Sequence, residues 1–305
     1  GPLTMPFPLL HNLRAKFEAF TAAPPPPVAV EIAAGRVAAG RVALAGTGRL
    51  EGLRTAVRPL AAGVVTASAV HPNVADGPAL TAALRGLLET LGVAADTEVT
   101  LLLPDLTARL AVLDFDTLPA RRDELEPLAR FRLRKSLPFA EEQAVISCQA
   151  LGGNRMLAVF ADRARVDEYE NALEAAGAHA ATVLPSGLAA LGAHAALDDG
   201  ALLLRADSGC LTSAFCRAGR VEFFRALETG AAAGFDDIFP SVAFYRDRAE
   251  ADGGSVEGAV LFTSGLDASV CARLREEAPW ATQRPAPADE AATLAVSGAL
   301  RGKLA

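Results

Sequence analysis

Short apolar runs broken by small-residue turns open each half of the chain in the same way. Near the start, Val28–Ala29–Val30–Glu31–Ile32 is an apolar strand and Ala33–Ala34–Gly35 a turn. Residues 37–45 form a return strand and 50–57 a third strand. The pattern recurs at 201–227. The apolar residues 201–204 enter a small-residue turn at 205–209, and 212–217 and 221–226 follow as antiparallel strands. Two such units, one opening each half, predict a duplicated α/β architecture.

Between the units the period changes. Residues 63–69 read as a further strand. Residues 77–91 set Leu80, Leu84, Leu87, Leu88 and Leu91 on one helical face, closed by Gly92. An apolar strand at 99–103 ends at Pro104. From 106 to 183 the chain is more charged. It reads as strand 108–115, helix 119–136, strands 144–151 and 156–161 joined at Gly152–Gly153–Asn154, and helix 163–176 closed by Gly177. That β-α-β-β-α order predicts a small inserted subdomain. Residues 184–196 are expected to return as a helix. After the second unit come helix 234–249 (Pro240 in its first turn or at a kink), strand 260–262, turn 263–265, helix 266–276 and a closing helix 288–304.

The expected divisions are 1–27, 28–105 resumed at 184–199, the insert 106–183, and 200–305. Residues 6–20 carry Leu9, Leu10, Leu13, Phe17 and Phe20 at helical spacing. That helix suits either a membrane surface or partner, or packing against its own domain, and 24–27 is a stiff proline linker. Residues 1–4, ahead of Met5, read as a tag remnant.

Composition narrows the function classes. Apolar residues make up 51% of 305, enough for a sizeable core. A net charge of -7 argues against a general nucleic-acid binder. The four cysteines (Cys148, Cys210, Cys216, Cys271) show no CxxC pair and read as buried thiols in a reducing compartment. No run reaches the roughly 20 apolar residues of a membrane span, and no signal peptide is evident. Together these predict a soluble cytoplasmic protein. His11, His71, His179 and His194 lack ligand spacing, so no metal site is expected. Asp114 and Asp116 read as an exposed strand edge rather than a carboxylate pair, and Ser186 as a helix N-cap. The basic run Arg130, Arg132, Arg134 and Lys135 reads first as a solvated helix end, with a grip on phosphate or an acidic partner as the alternative.

Several short stretches resemble one family. Leu137–Pro138–Phe139 with Glu141–Glu142 resembles an "IPF…EE" motif, and Ser241–Val242–Ala243–Phe244–Tyr245–Arg246 a "RSLDFYR" helix. Ser264–Gly265–Leu266 stands where adenosine-site glycines fall, and Gly298–Ala299–Leu300–Arg301–Gly302 resembles "GLALRG". In this order they are similar to the PilM branch of the actin-like ATPase superfamily, with cell-division FtsA and the secretion protein GspL as more distant relatives. The resemblance implies an α/β, actin-like (ribonuclease H-like, duplicated) fold with a small inserted subdomain. It also implies a partner, the short N-terminal cytoplasmic peptide of a PilN-like inner-membrane protein, and through it a place at the inner membrane. The peptide would lie between the first subdomain and the insert, and Arg130, Arg134 and Phe139 are the expected lining.

An actin-like ATPase places an acidic residue and then a glycine at the end of each unit's first strand, for Mg²⁺, water and phosphate. Here Glu31 and Ala33 stand at those places in the first unit, and Arg205 and Asp207 in the second, with Ser208 following. Ser264 replaces one adenosine-site glycine beside Gly265. A carboxylate facing a phosphate about 4 Å away costs roughly 4 kcal/mol at an effective dielectric near 20. The expectation is a degenerate site without ATP hydrolysis, and no cofactor unless ATP and Mg²⁺ binding is retained. In a register shifted by two residues, Asp207–Ser208–Gly209 is itself the acid-plus-glycine motif, and the chain an active ATPase. The cytoplasmic domain of a GspL-type secretion protein is the third reading.

Overall fold

Alternation along each opening strand decides which side chains face the middle of the molecule. The computed structural model describes residues 26–44, 50–193, 201–217, 220–230, 232–251, 256–257 and 259–301. The amphipathic segment 6–20, most of the proline linker, His11, His194 and the end of the closing helix lie outside them. In the first half, β1 (Val28–Ala33), β2 (Arg36–Leu44), β3 (Leu50–Pro59), β4 (Thr97–Leu103) and β8 (Ala178–Pro185) form one sheet in the order β3-β2-β1-β4-β8. In the second half, β9 (Leu202–Asp207), β10 (Cys210–Arg217), β11 (Arg220–Glu228), β12 (Ala259–Ser264) and β13 (Ala281–Pro285) form the order β11-β10-β9-β12-β13. In each sheet the first three strands are antiparallel and the last two run parallel to the opening strand's side of the sheet. The duplication expected from the repeated hairpins is therefore complete, down to strand order.

The helices follow the same repeat. α1 (Gly77–Thr90) and α3 (Arg163–Ala176) cover one face of the first sheet, burying Leu80, Leu84, Leu87, Tyr169 and Leu173 against Val28, Val30 and Ile32. α5 (Phe235–Ala251) and α6 (Ala268–Glu277) cover the matching face of the second, against Leu202 and Leu204. The strand period of two then turns Ala29, Glu31 and Ala33, and Leu203, Arg205 and Asp207, to the opposite faces. Those faces look at each other. Between them lie α4 (Ser186–Leu191) and α8 (Leu294–Arg301), preceded by the short α7 (Ala288–Ala291). The two halves share this central core.

The insert is β5 (Ala108–Asp114), α2 (Leu125–Leu133), β6 (Ala144–Gly152) and β7 (Arg155–Asp162), in sheet order β5-β7-β6. One face packs on α2 through Met156, Ala158 and Phe160, and the other joins Cys216 and Val221 of the second half. Arg155 secures that contact, reaching Glu222 at 2.5 Å and Asp114 at 3.2 Å. The insert ends earlier than the charge pattern suggests. α3 and β8 belong to the first sheet, because Val166, Tyr169 and Leu173 give α3 an apolar face that fits α1.

Other boundaries also differ. Residues 178–185 (AHAATVLP) and 281–285 (ATQRP) form the outer strands of their sheets, where little apolar patterning is needed, so neither reads as a strand from sequence. The helix expected at 184–196 consequently starts at Ser186. Residues 63–69 contribute one isolated bridge, Val65 to Val74, rather than a strand. Helix 119–136 contracts to α2 after a single 3₁₀ turn, and Pro240 lies inside α5, beyond its first turn.

A buried asparagine ties α3 to the segment that leads into the insert. Asn73 accepts from Thr107 and Tyr169 hydroxyls, each at 2.8 Å, and donates to the Ser68 and His71 carbonyls. Its own N–H and that of Val74 reach Glu168 of α3. Asn73→Ala leaves the buried Thr107 and Tyr169 hydroxyls only each other, at 3.3 Å, and strips the Ser68 and His71 carbonyls of their donor, so a loss of roughly 1–3 kcal/mol in urea unfolding is expected. An unchanged midpoint would show that the network contributes nothing.

Candidate functional site

The two opening hairpins meet tip to tip. The first closes at Ala33 opposite Arg36 around Ala34–Gly35, the second at Asp207 opposite Cys210 around Ser208–Gly209. Counted back from those turns, Arg205 occupies the place of Glu31, and Asp207 the place of Ala33.

Where they meet, four charges close a ring. Arg205 donates to Glu31 at 2.7 Å and to Asp207 at 2.6 Å. Arg36 donates to Glu31 at 3.0 Å and grips both Asp207 oxygens at 2.7 and 2.9 Å. Glu31 and Arg36 come from the first half, Arg205 and Asp207 from the second, so the ring ties the halves. Arg36 Nε adds a bond to the Ala292 carbonyl at 3.2 Å. Glu31 is 1% exposed and Arg205 3%, so the charges are paired where water barely reaches.

A second tie runs beside it. Asp105, after β4, accepts the Gly187 N–H at 2.7 Å and the Thr212 hydroxyl in a short bond. Gly187 must be glycine, since a Cβ there would lie 2.5 Å from Asp105 Oδ2 and 2.6 Å from Thr212 Cγ2. Burial pushes the Asp105 carboxyl above the usual range, with Arg205 only partly offsetting it. Burial also pushes up Asp207, but Arg205 and then Arg36 outweigh it and hold that carboxyl below its usual value. Burial opposes the Arg205 charge, yet Glu31 and Asp207 more than restore it.

These groups line one cleft, with Ala33, Ala34, Ser186, Ser208 and Cys210. The room left in it is about 30 Å³. One water takes roughly 10–15 Å³ of such room. Two polar atoms facing this space have no partner among the described residues, Ser186 Oγ and Arg205 Nε. Ser186 is not a cap: Pro185 holds the N-cap position of α4 and no side chain caps it.

Glu31, Ala33, Arg205, Asp207 and Ser208 are thus brought together as their positions in the hairpins suggest. Ser264 and Gly265 are not among the lining residues. Ser264 ends β12 beside Arg205, and Gly265 adopts φ +68°, with space for a Cβ blocked 2.0 Å away by the Ala206 carbonyl. Close backbone packing alone accounts for that glycine. Of the expected partner residues, Arg130 is spent within the insert, donating to the Glu141 and Ala144 carbonyls and to Glu126. Phe139 packs partly buried against the α2 core, and Arg134 stacks over the Phe131 ring at 4.7 Å. Sequence reading missed Arg36, Asp105 and Thr212. The one signal was position: Arg36 directly follows the first turn, and Asp105 follows the strand-ending Pro104. Among the described residues no cluster of ligating side chains suits a metal ion, and no helix is long and apolar enough to cross a membrane.

No family model and no curated protein sequence matches the chain. Solved structures do. A PilM–PilN complex of type IV pilus biogenesis superposes with a TM-score of 0.67 at 18% identity, covering 90% of this chain and 98% of that one. The cytoplasmic domain of EpsL, an inner-membrane component of the Vibrio cholerae type II secretion system, gives 0.54 at 14%, covering 90% and 94%. A Bacteroides thetaiotaomicron protein of unknown function with an actin-like ATPase fold gives 0.55 at 9%, covering 90% and 95%. The fold is therefore actin-like, as the repeated sheets require.

Proposed function

We propose that this chain is a non-hydrolysing actin-like scaffold of a pilus-assembly system, one that binds the N-terminal cytoplasmic peptide of a PilN-like membrane protein. The observation carrying this reading is the charge ring of Glu31, Arg205, Asp207 and Arg36. Each arginine that might receive a phosphate already holds Asp207, and the turn where a phosphate would approach the backbone carries that carboxylate. With the ring closed, the cleft between these side chains has room for only a few waters. A nucleotide would have to break the ring and add its own negative charge next to Glu31 and Asp207.

The ring also suggests what replaces the nucleotide. In this reading, protein side chains hold the two halves closed, and the seam between first half and insert keeps one shape for its partner. The protein then sits in the cytoplasm and reaches the inner membrane through that partner. The likeness to a complex whose second component is PilN supports the choice of peptide.

Calorimetric titration with Mg-ATP and with a PilN-like N-terminal peptide tests it. Heat from the peptide and none from millimolar ATP is the expected result. Saturable ATP binding would sink the closed-cleft reading. ATP turnover abolished in Asp207→Asn would establish an active ATPase instead. Indifference to the peptide would favour a secretion-system role such as that of the EpsL domain.

A further inference from the structure

One surface feature is used by neither the cleft nor the seam. Residues 130–135 carry four cations and no anion, in a chain whose net charge is -7. They end α2, which buries Leu125, Ala129 and Leu133 and turns its other side outward. On that side Phe131 is 63% exposed, more than any other exposed large apolar side chain among the described residues. Arg134 lies over its ring at 4.7 Å, and Arg132 and Lys135 are close in sequence, all three exposed. Arg130 is consumed by carbonyls and Glu126, but no described carboxylate lies within ion-pair distance of the other three. The acidic residues Asp123 and Glu124 sit at the far end of the helix, paired with Arg121. An exposed aromatic ring thus shares the end of α2 with three cations that have no described carboxylate partner.

We propose that this end of α2 docks on the anionic surface of a membrane, with Phe131 wedged at the headgroup boundary and Arg132, Arg134 and Lys135 over lipid phosphates. An acidic protein segment shares part of this chemistry, but the shape favours lipid. The patch is a helix end and not a sheet edge, so it offers an extended chain no strand to pair with. Exposed ion pairs with such a chain gain anything from nothing to about fivefold each, because both long side chains must be held in one geometry. Against an anionic leaflet each cation gains roughly fivefold, and the ring needs no preformed pocket there. Three cations multiply to about a hundredfold and Phe131 adds on the order of tenfold. The product is comparable to one weak lipid anchor, so the docking is reversible and works beside a second attachment. The inference is independent of the cleft, and it gives to the membrane the Arg134 that the sequence pattern assigned to the peptide groove.

The test uses the full chain with vesicles of phosphatidylcholine, with and without phosphatidylglycerol. Partition onto the anionic vesicles should exceed that onto neutral ones and collapse at high salt. Arg132→Gln with Lys135→Gln should weaken it about 25-fold, and Phe131→Ser about tenfold. Because residues 6–20 carry their own apolar face, a local readout is needed. Tryptophan fluorescence of Phe131→Trp should shift to the blue on anionic vesicles and be quenched by brominated acyl chains, above the background of Trp280. Emission unchanged by vesicles would overturn the proposal. So would a concentration-dependent dimer lost in Phe131→Ser, or capture of polyglutamate with indifference to vesicles. Either outcome would give the patch to a protein partner.

Discussion

Arg205→Ala is expected to cost roughly 3–5 kcal/mol, the usual penalty for removing one partner of a buried ion pair. Glu31, 1% exposed, would be left with only Arg36 beside it, and Asp207 would lose one of its three side-chain donors, keeping Arg36 and Ser208. For a chain of this size the melting temperature should fall on the order of 10 °C. The informative comparison is the double replacement Glu31→Leu with Arg205→Met. It removes both buried charges and leaves the Arg36–Asp207 pair, so its cost should be much smaller than that of Arg205→Ala. If the double variant were the worse of the two, the ring would be stabilising in itself. pH adds an independent check. A carboxyl held below its ordinary value, as Asp207 is, contributes stability above the unfolded value near 3.9, and that contribution fades as pH falls through it. The stability gap between the native chain and Asp207→Asn should therefore close below about pH 4. Asp105 runs the other way. Its raised carboxyl favours folding while protonated, and its ionisation opposes folding as pH rises. A gap that persisted in acid would remove Asp207 from the ring's energetics.

What could be read from the sequence follows from where information is local. Strands β1 to β3 and β9 to β11 are written in apolar runs and small-residue turns, so the duplication and its hairpin register were legible. So was the insert, whose hairpin carries Gly152–Gly153–Asn154 with positive φ at all three. β8 and β13 were not, because an outer strand is specified by its neighbour's backbone more than by its own side chains. The cleft divides the same way. Glu31, Ala33, Arg205 and Asp207 stand at fixed offsets from two turns and could be found. Arg36 and Thr212 gain meaning only from partners 171 and 107 residues away, which no local pattern encodes. Gly265 shows a requirement that local pattern does not reveal. A glycine beside a nucleotide-like position reads as ligand contact, while its cause is the Ala206 carbonyl packed against it.

Gly298→Ala should be nearly as damaging as Arg205→Ala, for a steric rather than an electrostatic reason. Gly298 lies in α8, and a Cβ there would come within 2.0 Å of the Ala189 carbonyl oxygen of α4 and 3.0 Å of the Ala193 nitrogen. The obstacle is backbone, so no side-chain rotation relieves it and the helices must separate. Overpacking of this kind costs about 1–3 kcal/mol and occasionally more; alanine's better helix propensity returns at most about 1. A net loss of roughly 2–3 kcal/mol in thermal or urea unfolding is expected, whereas Gly35→Ala, where a Cβ meets nothing within 4 Å, should change little. Equal stability of the two variants would show that the helices yield freely. The position matters because α4 closes the first half and α8 the second, and both bury Leu188, Leu191, Val296 and Leu300 in the core the halves share. Ala292, just before α8, accepts the Arg36 Nε bond, so a displaced α8 also pulls on the charge ring. The two perturbations are thus mechanically linked. Combining Gly298→Ala with Arg205→Ala should cost less than the sum of the separate losses, by about 0.5 kcal/mol or more. Strict additivity would mean that helix joint and charge ring hold the halves together independently.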